Sequence, residues 1–265
     1  MSSPNPVLAR ARRLPARLQT VAPFLVSLLA LLTIAQVVGL SGQFIAVPPV
    51  TDVVEAFLEL ITSGALVAPL ATSLSTLAIG LAISIVVGTV IGLAIGLSPT
   101  VEALLDMYVK AGMSAPVIAF VPLLMLLFGI GPETRVATVV LFSIWVIIAN
   151  TSTGIQRADP ARLEMARSFG ASRVGVLTQI RIVEATPYLL EGLRLGVARG
   201  VKGLINGEVL IAIVGLGGLV KTYGTAFSMD KLYAVILFIV LLALLTVGLA
   251  DLLGRLVLRH NRGVE

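Results

Sequence analysis

The distribution of charge constrains this chain more than any other feature. No Asp, Glu, Lys or Arg occurs between Arg17 and Asp52, Glu59 and Glu102, Lys110 and Glu133, Arg135 and Arg157, or Lys231 and Asp251. A helix rises about 1.5 Å per residue, so about 20 predominantly apolar residues cross the roughly 30 Å hydrocarbon core of a bilayer. Each gap meets or nearly meets that length. Buried helices of a soluble bundle need polar stripes at helical spacing, and the gaps carry none. Composition agrees: the chain is 57% apolar and 12% charged with mean hydropathy +1.04, whereas soluble domains are roughly 25% charged. The expectation is an all-α polytopic membrane protein.

Six transmembrane helices are placed at 21–40, 69–97, 116–130, 134–154, 187–214 and 232–254, within one transmembrane domain covering 1–265. The run from Val21 to Leu40 is too long for a cleaved signal sequence, so it reads as a retained first span behind a basic tail, 1–20. An even number of spans puts both termini on one side, and Lys and Arg in short loops favour the cytoplasm. One side then holds thirteen cations: Arg10, Arg12, Arg13, Arg17, Lys110, Arg157, Arg162, Arg167, Arg173, Arg181, Arg255, Arg259 and Arg262. The other holds three, Arg135, Lys221 and Lys231. The orientation expected is N-in, C-in.

In the second span Gly80, Ser84, Gly88, Gly92 and Gly96 recur every four residues and form one face on which another helix can approach closely. Pro122 interrupts the third span and predicts a kink. After Pro48 and Pro49, a short helix capped by Thr51 or Asp52, with Phe57, Leu58 and Ile61 on one face, should lie at the outer surface.

The segment 155–186 is too long for a simple connection, and it is amphipathic. Asp159 and Pro160 supply a helix cap and a first-turn proline. Leu163, Ala166, Arg167 and Gly170 share roughly one face, and Gly170 can end the helix in the left-handed conformation. A second helix begins near Ser172. Glu164-Met165-Ala166, then Gly170, Ile180 and Ile182-Val183 resemble the signature loop of bacterial ABC importer permeases, Glu-Ala-Ala, three residues, Gly, nine residues, Ile, one residue, Leu-Pro. Met165 stands for an alanine, Ile182 for the leucine and Val183 for the proline, with Pro187 four residues later. The likeness extends to Pro48-Pro49, Phe128-Gly129-Ile130-Gly131, Gly170-Ala171-Ser172-Arg173 and Gly192-Leu193-Arg194, a pattern similar to the sulfonate, taurine and nitrate subfamily.

That resemblance implies a type I ABC importer permease fold and a coupling helix docked in a cytoplasmic ATP-binding subunit. Contacts would come from Leu163, Met165, Ala166 and Phe169, with Glu164 fixing register and Gly170 ending the helix. It also implies a second permease copy, as in a homodimer, and an extracytoplasmic substrate-binding protein, with ATP and Mg held by the partner ATPase and no cofactor on this chain. The solute would be a small anion such as a sulfonate, taurine, nitrate or an aromatic carboxylate. Partners are thus proteins and lipid, with no nucleic acid.

The fifth span breaks the charge-free rule with Glu191, Arg194, Arg199, Lys202 and Glu208. Such groups are costly facing lipid and should face protein or a water-filled cavity. Two readings carry equal weight: Lys202, with Arg199, Asn206 and Glu208, lines a path for an anion, or Lys202 is internally ion-paired with Glu208 or a neighbouring span. Val214-Gly215-Leu216-Gly217-Gly218-Leu219 resembles the family's outer glycine-rich turn. The chain has no cysteine, no phosphate-binding P-loop and one histidine, His260 in the basic tail, so catalysis by this chain is not expected. A secondary carrier using Lys202 and Glu208 as an ion relay is the alternative. An intramembrane enzyme would rest on Glu184 and Glu191 alone.

Overall fold

The computed structural model describes residues 16–211 and 214–261, which are nearly all helical with no strand among them. Arg10, Arg12, Arg13 and Arg262 of the basic termini lie outside the described residues. The helices are α1 (Ala16–Leu40), α2 (Val50–Thr62), α3 (Val67–Leu97), α4 (Pro99–Ser114), α5 (Val121–Phe128) and α6 (Pro132–Gln156). After these come α7 (Pro160–Ser168), α8 (Arg173–Val176), α9 (Ile182–Ile211), α10 (Gly215–Thr225) and α11 (Met229–Asn261).

Among the described residues, three helices are long and apolar enough to cross a bilayer by themselves: α3, α6 and Met229–Leu256 of α11. The third expected span, 116–130, is not one straight helix. Val117–Phe120 is a 3₁₀ turn, α5 has eight residues, and the segment reaches spanning length only together with α4, from which it turns by 98°. The break falls at Ala115, held extended at φ −65° and ψ 145° because the following Pro116 disfavours the α conformation there. Pro122 instead occupies the first turn of α5, where its missing N–H costs nothing.

At the centre of the bundle, α6 is flanked by α3 and α9. The four-residue ladder of α3 meets a matching ladder on α6. A β-carbon on Gly80 would meet Val139 at 2.6 Å, on Gly88 Ile147 at 3.0 Å, on Gly92 Thr151 at 2.5 Å and on Gly96 Ile155 at 2.7 Å. Between them Ser143 Oγ donates to Ser84 Oγ at 2.7 Å. Lipid tails are as apolar as Leu, so it is this close van der Waals approach, with one polar link, that favours α3–α6 contact over lipid contact.

A second glycine ladder, unforeseen from the sequence, runs along α9. Gly192 faces Asn150, Gly196 faces Ile147, Gly203 faces Phe142 and Gly207 faces Thr138, while Gly200 admits Leu81 of α3. On the outside Leu126, Leu244 and many other large apolar side chains are exposed, as surfaces for lipid or for another chain require.

The α2 helix follows its expected course with two corrections. Its first turn has no side-chain cap; the Thr51 amide donates to Gln36 Oε1 of α1 at 3.2 Å instead. Its buried face is Ala56 and Leu60, helped by Val53 and Phe57 against Ala234 and Val235 of α11, whereas Leu58 and Ile61 are exposed. Spacings of three, four and seven residues from Val53 explain that choice.

Candidate functional site

The loop between α6 and α9 folds as its turn residues dictate. Asp159 Oδ1 accepts the Ala161 amide at 2.9 Å, and Pro160 fills the first position of α7. At the other end Gly170, at φ +78°, closes the helix: the Ala171 amide reaches Ala166 O and the Gly170 amide reaches Arg167 O, both at 3.0 Å. This paired closure satisfies two terminal carbonyls. Ser172 Oγ then accepts the Gly175 amide at 3.1 Å and starts α8. A π-helical turn, Leu177–Arg181, leads into α9.

Along α7 the expected contact residues divide. Leu163 and Ala166 are half-buried, turned toward the rest of the chain, while Met165 and Phe169 are 57% and 85% exposed. Glu164 is exposed, and its carboxyl group has no partner among the described residues. An exposed phenylalanine and methionine four residues apart make a small apolar knob, the shape that fits a groove in another protein.

Glu184 of α9 holds the start of this helix, and Tyr188 of α9 holds Arg157 just before it. Glu184 Oε2 accepts the Asp159 amide at 2.7 Å, and its Oε1 lies 3.2 Å from Arg162 Nη1 as an ion pair without an aligned hydrogen bond. Arg157 donates to the Tyr188 hydroxyl at 3.0 Å, and its guanidinium carbon stands 5.6 Å from the Tyr188 ring centroid. The start of α7 and the end of α6 are thus tied to the first turns of α9. The sequence offered Glu184 only as half of a weak acidic pair, because nothing local shows that Asp159 N–H comes back to it.

Within α9 the four expected path residues separate. With 3.6 residues per turn, Arg199, Lys202 and Asn206 lie along one side of the helix, and Glu208 lies on the opposite side. Lys202 is exposed, Arg199 and Asn206 are half-buried, and Glu208 is wholly buried. Neither Arg199 nor Lys202 is ion-paired with a described residue, so the internal pair between Lys202 and Glu208 does not form.

Glu208 belongs instead to a buried polar knot. Ser73 Oγ of α3 donates to both carboxyl oxygens, at 2.7 and 2.9 Å, and the Gly217 amide donates to Oε2 at 2.9 Å. Ser73 Oγ in turn accepts the Leu216 amide at 2.9 Å. The first amides of α10, which lack intrahelical partners, thus end on Ser73 and Glu208. The expected glycine-rich turn is in fact the start of α10. Gly215, at φ +82°, and Gly217 leave no space for side chains beside Glu208. Arg135 lies within Coulombic reach of this carboxyl group. It stands near the start of α6, 7% exposed.

Residues 84–259 match the family described as binding-protein-dependent transport system inner membrane component. The chain belongs to that family. It is accordingly a multi-pass protein of the prokaryotic inner membrane, with the spans of the matched region packed as above.

Two relatives are named as permease proteins. The chain is 33% identical to the taurine transport system permease protein of Escherichia coli over 165 residues, 62% of this chain and 60% of the relative. A putative aliphatic sulfonates transport permease protein of Bacillus subtilis is 27% identical over 237 residues, 89% of this chain and 86% of the relative. The chain spans about three fifths of the length of the first curated relatives that it matches. A chain from the crystal structure of an amino acid ABC transporter superposes with a TM-score of 0.62 at 18% identity, covering 75% of this chain and 97% of that one. This likeness establishes the fold of an ABC transporter's membrane chain.

Proposed function

We propose that this chain is the membrane-spanning permease subunit of an ABC importer for a small anionic solute, of the sulfonate or taurine kind that its relatives are named for. The observation that carries the proposal is α7: a capped helix that exposes Met165 and Phe169 and is fastened to α9 through Glu184. It is a lever in which an apolar knob seats in a cytoplasmic ATP-binding subunit and α9 receives the movement. Residues 155–186 form that coupling loop within a single permease domain, 1–265.

Six spans follow if α1, α3, the α4–α5 pair, α6, α9 with α10, and α11 each cross once. The cation count, thirteen against three, supports N-in, C-in. Alternating access then needs a second permease copy beside this one, two ATP-binding subunits that hold ATP and Mg, and an extracytoplasmic binding protein that selects the solute. Arg199 and Lys202, on the open side of α9, supply positive lining for an anion, and Asn206 a hydrogen-bonding amide.

Reconstitution tests this reading. The chain is placed in liposomes alone, and with the ATP-binding subunits and binding protein encoded beside it. Uptake that requires every component and ATP is the expected result. Uptake by the chain alone down an ion gradient would make it a secondary carrier.

A further inference from the structure

Beneath α7, on the side away from Met165 and Phe169, the molecule has a cavity of about 220 Å³ bounded by Arg167, Arg173, Arg181 and Leu97. The three arginines come from three different elements, α7, α8 and the π-helical turn. Their guanidinium groups make no ion pair and no hydrogen bond with any described residue. Three cations gathered around one cavity repel each other unless an anion sits among them, and the guanidinium fork matches the oxygens of a phosphate in pairs. We propose that the cavity bounded by Arg167, Arg173 and Arg181 binds the phosphate headgroup of an anionic phospholipid.

Position selects the lipid. Leu97 is the last residue of α3, a helix that spans the bilayer, so the cavity opens where the hydrocarbon ends and headgroups begin. Val176 and Leu177 add apolar wall where acyl chains enter the headgroup layer. Arg167 follows Met165 by two residues and precedes Phe169 by two, and at 3.6 residues per turn it points away from both. The proposed docking face for the ATP-binding subunit and the arginine face are thus opposed. The lipid holds α7 from the membrane side while the ATPase holds it from the other, and in that respect the inference rests on the coupling reading.

The test uses the full-length permease, delipidated in detergent, with lipid retention read by native mass spectrometry. Phosphatidylglycerol should bind more tightly than phosphatidylcholine. Each of Arg167→Gln, Arg173→Gln and Arg181→Gln should weaken phosphatidylglycerol about fivefold, and Lys110→Gln, a charge removed elsewhere, should not. Equal retention of the two lipids, or a triple variant that binds like wild type, overturns the proposal. Inorganic phosphate alone at millimolar concentration should leave lipid retention unchanged; displacement of the lipid would identify a soluble anion as the ligand and also overturn it. If the triple variant loses the ATP-binding subunits but keeps its lipid, the arginines meet a partner carboxylate and the proposal falls. Met165→Ser with Phe169→Ser separates the two readings. Loss of ATPase docking with lipid retained supports both, and docking unaffected with lipid retained removes the lever while leaving the lipid site standing.

Discussion

Ser73 and Glu208, 135 positions apart in the chain, are joined by a hydroxyl that donates to both carboxyl oxygens while accepting the Leu216 amide. One side chain on α3 therefore connects α9 to the start of α10. Both residues are wholly buried, so water cannot replace what a substitution removes. Ser73→Ala should cost about 1–3 kcal/mol, the usual consequence of leaving a buried polar group unsatisfied, read as a lowered unfolding temperature in detergent. Gly217→Ala should be worse, because its β-carbon would fall 2.5 Å from Glu208 Cβ and 2.9 Å from the Val209 nitrogen. Unchanged melting in both variants would show that the knot does not hold α10.

The clamp at Glu184 makes a prediction that distinguishes its two bonds. The pair with Arg162 is partly solvated, with 63% and 19% of the two side chains exposed, and such pairs contribute little. The Asp159 amide bond to the carboxylate is short and charge-assisted. Arg162→Gln should leave uptake by the reconstituted complex within about twofold. Glu184→Ala should cut uptake about tenfold or more, a loss of about 1.4 kcal/mol in coupling, while ATP hydrolysis persists. Glu184→Gln, whose amide oxygen can still accept from Asp159, should recover most of it. Equal effects of Glu184→Ala and Glu184→Gln would mean that the charge, not the tether, matters.

The long apolar helices α3, α6 and α11 were legible because a membrane helix reports itself through charge it cannot carry. The close-packing face of α3 showed in the same way, since a helix surface built of glycine and serine every four residues has few other uses. What remained hidden was pairing between distant segments. Gln36 of α1 holds the first turn of α2 where a local cap was expected, and Ser73 is the partner of Glu208 that one of the two readings of Lys202 had supplied. Arg135 is similar: inside the span expected at 134–154, it gives no local sign that its side chain is buried. The break at Ala115-Pro116 was visible in the sequence, but Pro122 drew the kink because helix position decides whether a proline bends or begins a helix.

Glycine substitutions separate packing from propensity. Gly92→Ala places a methyl 2.5 Å from Thr151 Cβ and 2.8 Å from the Ile148 carbonyl oxygen. The backbone of α6 cannot yield as a flexible side chain can, so α3 and α6 must part. Gly248 in α11 has nothing within 4 Å of the same added atom. Gly248→Ala should leave the melting temperature unchanged or raise it slightly, as alanine is the better helix former by up to about 1 kcal/mol. Gly92→Ala should lower it clearly, with a cost of about 1–3 kcal/mol from overpacking. A reversed order would place the tight seam elsewhere.

The last prediction concerns what the open side of α9 is for. Lys202 is exposed and Arg199 half-buried, both without an ion-pair partner among the described residues, while the adjoining face of the same helix is packed by glycines against α6. An unpaired cation midway along a spanning helix is too costly to face lipid, so it must meet water, a second copy or the solute. If it meets an anionic solute, Lys202→Met should raise the concentration for half-maximal uptake about tenfold, and a zwitterionic or neutral solute should lose less. The ATPase rate without solute should stay the same. If Lys202 instead lines the contact between two copies, the apparent affinity stays unchanged and the variant's pairing weakens in cross-linking. Measuring both on one preparation decides between path and interface, because a residue that only fills an interface has no reason to discriminate between solutes by charge.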